Sequence, residues 1–306
     1  MADTASPPLP PDPRRNQLLK GIPRTARIVE VGASFRPLAP KREGWNTCVV
    51  DHDTREGLLT KYEQANIQAD AIEDVDVLWR GGLLHEAFHP DQLGTFDALI
   101  ASHVLEHMPD LVAFLDSARR LVRDDGCLVF ALPDKRWSFD FFRPPTLAGR
   151  VLLAHHDRRE RHCPATLFDE IAYSVTLRGQ PGWVAGESAD ELAFAHPPKR
   201  AKAMFDAACR PDDPYRDAHA WPVTPASFEL LILDLAQAGA CDWHVAWLHP
   251  EPAVEFLGRL EPGKARFAND AELQVERMRL LREMARESIA QWQSLVDLGR
   301  RSPNPD

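Results

Sequence analysis

The chain opens its regular part with short apolar runs. RIVEV (27–31) is a β-branched run cut off by Gly32 and soon followed by Pro37, which predicts a buried strand entering a tight loop. NTCVVD (46–51) predicts a second strand. Residues 55–62 are compatible with a short helix, and IQADAIEDVDVLW (67–79) reads as either one strand or two. The clearest unit is FDALIASHVLEHMPDLVAFLDSARRLVRDDGCLVFALPD (96–134). There ALIAS predicts a strand. From Pro109 the residues Leu111, Val112, Leu115, Ala118, Leu121 and Val122 recur at helical spacing, Asp124, Asp125 and Gly126 stop the helix, and CLVFAL (127–132) predicts another strand. A strand, a helix and a strand in so short a stretch predict a crossover unit in a parallel sheet.

Regularity is lost over 135–221, a stretch rich in Arg, His, Pro and scattered aromatics, read as a mainly helical insertion that caps the substrate. It returns at TPASFELLILDLAQAG, where Thr224 caps a helix, Pro225 takes its first position and Gly239 ends it. DWHVAWLHP and VEFLGRLEP then predict an antiparallel strand pair, and 269–299 repeats apolar residues at helical spacing, as a packing helix or a homodimer contact would. The expected organisation is a disordered, proline-rich tail over 1–15, a sheet domain formed by 16–134 and 222–262, the insertion at 135–221, and a terminal helix and tail over 263–306.

Composition narrows the partners. The 306 residues carry 36 Lys and Arg against 46 Asp and Glu, a formal charge of −10, which argues against nucleic acid. No long uncharged apolar stretch predicts a membrane span, and the acid- and proline-bearing N-terminus lacks the apolar run of a secretion signal, so a cytoplasmic protein is expected. The five cysteines are widely spaced with no C-x-x-C pair, which disfavours a disulfide framework or structural zinc.

Ligands of an open parallel sheet bind at the carboxyl ends of its strands. Gly32 permits a backbone turn there, and Asp51 stands 19 residues later, at the spacing where a carboxylate can accept ribose hydroxyls. A dinucleotide fold would want G-x-G-x-x-G to cradle a pyrophosphate, whereas this chain has Gly32, Ser34 and Pro37 in those places. A nucleoside cofactor without phosphates removes that demand. S-adenosyl-L-methionine is such a cofactor, and Glu30 adds a carboxylate suited to a cation.

VEVGASFRP, VVDHD, FDALIASHVLEHMPD, RDDGCLVFALPDKR and the TPASFELL helix with its strand pair resemble class I S-adenosylmethionine-dependent methyltransferases over about 26–145 and 222–260. ASHVLEHMPD with PDKRWSFDFFRPP further resembles a bacterial group of that superfamily associated with glycan and other small-molecule biosynthesis. The resemblance implies an α/β, Rossmann-like sheet, mostly parallel with an antiparallel last strand. It also implies S-adenosyl-L-methionine as cofactor, with Glu30, Gly32, Ala33 and Ser34 in the cofactor loop and Asp51 on the ribose. His52 would lie near the adenine, Asp76 with Val77 (or else Asp74 with Val75) would hold its ring, and Ser102 and His103 would lie beside the methionine part.

Methyl transfer is an in-line displacement, so the protein aligns the reactants and, for a hydroxyl acceptor, removes a proton. His107 is the candidate general base, the alternative being a histidine that caps or packs the next helix; Glu106 has the same two readings. Asp134, Lys135, Arg136, Phe139, Asp140 and Arg143 form a candidate substrate wall in which rings stack and cations hold an anion. The competing reading pairs these charges with one another and buries the rings. HHDRRERHC (155–163) carries potential metal ligands, but its arginines and the chemistry argue against a metal. The expected function is methylation of a small-molecule or sugar-containing acceptor at oxygen. Alternatives are N-methylation of an amino sugar, a non-catalytic protein that binds cofactor and partner, and, third, a dehydrogenase.

Overall fold

The computed structural model describes residues 12–63, 69–187, 191–250 and 254–296. Seven strands form one sheet: β1 (Arg27–Val31), β2 (Asn46–Asp51), β3 (Val77–Leu78), β4 (Phe96–Ser102), β5 (Val122–Pro133), β8 (Trp243–Pro250) and β9 (Glu255–Pro262), in the order β3-β2-β1-β4-β5-β9-β8. The first five run parallel, while β9 lies antiparallel between β5 and β8. The order reverses between β1 and β4, so the loops after these two strands diverge and leave a crevice at their carboxyl ends.

Sequence pattern explains the layering. Ala98, Leu99, Ile100 and Ala101 of β4 are all fully buried, as expected of a strand covered on both faces. One face packs on α3 (Leu111–Leu121) and α7 (Pro225–Gln237) through Leu115, Ala118, Phe228 and Leu231. The other packs Ile28, Ile100 and Val129 against Leu18, Leu38 and Ala39. Helix α7 begins as its sequence predicts: the Thr224 side chain accepts from Ser227 N while the Ser227 hydroxyl accepts from Thr224 N. Helix α8 (Asp270–Val296) lies on α7 through Leu280, Leu230 and Leu233. Helix α2 occupies Arg55–Tyr62.

Several expectations change. Part of the expected tail is ordered, because Asp12 caps a short helix, α1 (Pro13–Leu18), that starts on proline and buries Leu18 against the sheet. Residues 1–11 and 297–306 lie outside the described residues. Helix α3 stops at Leu121, short of Asp124, since the chain is already extended from Val122 to join β5. Of the segment 67–79, the described residues 69–79 yield one strand of only two residues. The stretch 135–221 contains helices α4 (Ala148–His156), α5 (Pro164–Tyr173) and α6 (Pro198–Ala208), and also an unforeseen antiparallel pair, β6 (Val175–Leu177) with β7 (Leu192–Phe194). Phe141, Val175, Leu177 and Trp183 give this region a small core of its own. Its two ends meet at the sheet, where Asp134 bridges to Val223 and Lys135 N donates to Val223 O at 3.0 Å.

Candidate functional site

The carboxyl edge of β1 and β2 is built by a turn and a buried acid. Gly32 has φ +68°, and its N–H donates to Val50 O at 2.8 Å; a Cβ there would press on Val104 and strain the backbone. Ser34 is also left-handed, at φ +50°. Its N–H donates to Asp51 Oδ2 at 3.2 Å, and its hydroxyl is buried with no hydrogen-bond partner. Ala33, between them, is buried. Asp51 is 4% exposed and also accepts His52 N (2.8 Å) and His52 Nδ1 (2.6 Å) on Oδ1. A carboxylate has about four acceptor positions, so Asp51, with three in use, keeps one on Oδ2 for a ribose hydroxyl. The loop therefore fits a nucleoside: a buried acid with a spare acceptor position beside an unpartnered hydroxyl.

Glu30 faces the protein. Its oxygens accept Leu38 N (2.6 Å) and Ala39 N (3.0 Å), orienting the loop after the Gly32 turn. Burial pushes its pKa up to about 7 against those two bonds. Asp76 is likewise committed, accepting Val49 N at 2.7 Å and pairing with Lys41 at 2.5 Å. It stands before Val77, which pairs with Val50 one residue short of Asp51, so its carboxylate is held back from the strand end. Asp74 pairs loosely with Arg55 and is largely exposed. At the edge beyond β3 stand Trp79, whose N–H donates to Asp51 O, and Arg80, whose Nε donates to His52 O.

Beyond β4 the charges interlock. His103, at φ +53°, bridges Glu106 (Nδ1 to Oε1, 3.2 Å) and Glu255 (Nε2 to Oε2, 2.8 Å). Burial opposes its charge, but these two carboxylates raise the His103 pKa to about 9. Glu255 also takes a two-pronged contact from Arg14 (2.5 and 3.0 Å), and Arg14 Nη2 donates to Ser102 Oγ at 2.7 Å. Arg14 thus comes from the stretch expected to be tail. His107 Nδ1 donates to Asp217 Oδ1 at 2.9 Å. Burial would lower its pKa, yet that bond and the charges of Glu106, Asp217 and Glu170 hold it above the ordinary 6.5. His219, which the sequence reading missed, meets His107 edge to face with ring centroids 4.8 Å apart. Its Nδ1 donates to Asp140 Oδ2 at 2.6 Å, and Phe139 lies over its other side at 4.5 Å.

The expected substrate wall divides. Asp140 and Arg143 pair at 2.5 Å, Asp140 also holding His219, and Phe139 faces His219. Asp134, Lys135 and Arg136 turn inward instead. Arg136 clamps Asp134 at 2.5–3.1 Å, and the Lys135 ammonium is buried on Phe141 O and Gln291. Burial lowers the Lys135 pKa to about 8. A charge buried and bonded in this way costs too much desolvation to be offered to a ligand. In 155–163, His155 bonds Asp110, His162 is buried near Tyr215 and Cys163 contacts Thr166, so these candidate ligands diverge.

Among solved structures, one described as a zinc-dependent alcohol dehydrogenase from Rhodobacter sphaeroides is 13% identical over 83% of this chain and 91% of that one, with a TM-score of 0.44. One described as an S-adenosylmethionine-dependent methyltransferase from Listeria monocytogenes is 10% identical over 82% and 98%, with a TM-score of 0.39. The Burkholderia thailandensis 1,6-didemethyltoxoflavin-N1-methyltransferase is 13% identical over 83% and 77%, also at 0.39. Likenesses this distant assign no activity. No curated protein matches the chain. The pattern of a methyltransferase domain, however, matches residues 10–177, more than half of the sequence and the part that contains β1 to β5 with the Gly32–Asp51 edge and the His103–His107 turn. By that match the chain belongs to the methyltransferase-domain family.

Proposed function

We propose that the chain binds S-adenosyl-L-methionine at the β1–β2 edge and methylates a hydroxyl of a small-molecule or sugar-containing acceptor, with His107 as general base. The observation that carries this reading is the presence, on loops of one sheet edge, of a buried Asp51 with an acceptor position to spare and a His107 whose Nδ1 is fixed by a carboxylate. A cofactor bound there supplies a methyl group on a sulfonium centre. Asp51 accepts a ribose hydroxyl on Oδ2, and Gly32 and Ser34 shape the backbone beside it. The Asp217 carboxylate orients His107 so that Nε2 is left to accept the hydroxyl proton. Phe139, half-buried and packed at a tilt on His219, gives a ring-bearing acceptor an aromatic contact beside His107.

Calorimetric titration with S-adenosylmethionine and S-adenosylhomocysteine, with NADH as control, tests the cofactor. Both sulfur nucleosides are expected to bind and NADH to fail. Hydrogen bonds to a charged group contribute about 1.5–3 kcal/mol each, so Asp51→Ala should weaken binding by about ten- to a hundredfold. A folded protein that binds neither nucleoside overturns the reading.

A further inference from the structure

Glu106, His107 and His219 each offer one ligand atom, and these atoms lie within 4.8 Å of one another; theirs is the one such cluster of three or more among the described residues. Both histidines use Nδ1 on a carboxylate, His107 on Asp217 at 2.9 Å and His219 on Asp140 at 2.6 Å. Each ring therefore has Nε2 free to offer a lone pair, and His107 Nε2 stands 3.9 Å from Glu106 Oε1. A carboxylate behind each imidazole is the arrangement that fixes tautomer and ring orientation in metal-binding histidines. Glu106 is 2% exposed; His103 holds Oε1, while Oε2 is buried with no hydrogen-bond partner. A carboxylate oxygen desolvated without a donor is costly, and a cation resolves that cost.

We propose that Glu106, His107 and His219 form a binding site for one divalent cation of the zinc class. Two imidazoles and one carboxylate are the three-ligand set that leaves a coordination position open. A tetrahedral zinc ion holds its ligand atoms about 3.3 Å apart, so the three atoms need to close by at most about 1.5 Å. The backbone already limits that closure: Ala220 N donates to Glu106 O at 2.7 Å and Trp221 Nε1 to Met108 O at 2.6 Å, pinning the His219 segment against the His107 turn. The same site resolves why Asp140 and Asp217, 77 residues apart, converge on two adjacent rings. Metal binding requires no methyl transfer. In a metal-loaded protein His107 Nε2 would be a ligand and so would not serve as the general base, while the cation would lower the pKa of a hydroxyl placed in the open position.

The full chain, stripped with a chelator, would be titrated with Co²⁺ while its visible d–d absorption is followed, then displaced with Zn²⁺ and analysed for metal content. One ion per chain and an intense four-coordinate spectrum are expected. His107→Ala and His219→Ala should abolish that spectrum, Asp140→Asn should weaken affinity by about 10–100-fold, and His155→Ala, at the exposed histidine on Asp110, should change nothing. Circular dichroism identifies any variant that fails to fold, and Asp140→Asn then carries the test. Absence of binding, or an unchanged spectrum in folded His219→Ala, overturns the proposal. S-adenosylhomocysteine binding measured on the same samples separates a failure of this site from a failure of the methyltransferase reading.

Discussion

His103 joins the carboxyl end of β4 to the last strands, and its charge should be readable as stability. Its pKa is raised from 6.5 to about 9 by Glu106 and Glu255. A raised basic group contributes stability that is fully present below 6.5 and lost as pH climbs through about 9. At about 1.36 kcal/mol per pKa unit the ceiling is about 3 kcal/mol. The side chain is 40% exposed, however, so solvent screening reduces the expected contribution to about 1–2 kcal/mol. The variant to compare is His103→Asn, because asparagine tolerates the left-handed backbone at φ +53°. Urea unfolding of both proteins at intervals from pH 6 to 9.5 gives the difference in unfolding free energy. That difference should be largest near pH 6 and shrink by about 1–2 kcal/mol toward pH 9.5. The comparison cancels Glu30 and Lys135, which titrate nearby in both proteins. A difference that stays flat across the range would refute the ion-bridge account of His103.

Two further outcomes follow from named contacts. Gly258 in β9 lies opposite Phe130 of β5, and a Cβ there would run into the Phe130 ring and Leu248, so Gly258→Ala should lower unfolding stability by about 1–3 kcal/mol in denaturant melts. Since His107 is held protonated above its ordinary 6.5, metal-free methyl transfer should increase with pH through an inflection above that value, and Asp217→Asn should move the inflection to lower pH in initial-rate profiles.

What the sequence made legible is local. The β4–α3–β5 unit, the capped start of α7 and the β8–β9 pair are each specified by residues a few positions apart, where periodicity and capping act. The Gly32–Asp51 edge was readable for the same reason, its spacing being fixed by one strand, one loop and one strand. The site's other half was not. His107 meets Asp217 from 110 positions away, and Arg14 reaches Glu255 across 241. Such pairings leave no periodic trace. Helix α1 was hidden because its six residues show one proline and two arginines but only one apolar side chain that becomes buried. The bonds of Asp76 to Val49 N and Lys41 were not legible either, because an acid followed by an apolar residue looks the same whether its carboxylate faces a crevice or a neighbouring backbone N–H.

The closure of 135–221 at Asp134 and Val223 makes this region an exchangeable cassette. It leaves the sheet and re-enters at touching points, so its length and internal helices are decoupled from the strand registers. Because the entropy of closing a loop grows only with the logarithm of its length, each doubling costs about 0.6 kcal/mol. Descent can therefore lengthen, shorten or replace the cassette while the Asp51 edge stays in place. Variation in the residues it carries, Phe139, Asp217 and His219 among them, then becomes a matter of grafting rather than of rebuilding a fold.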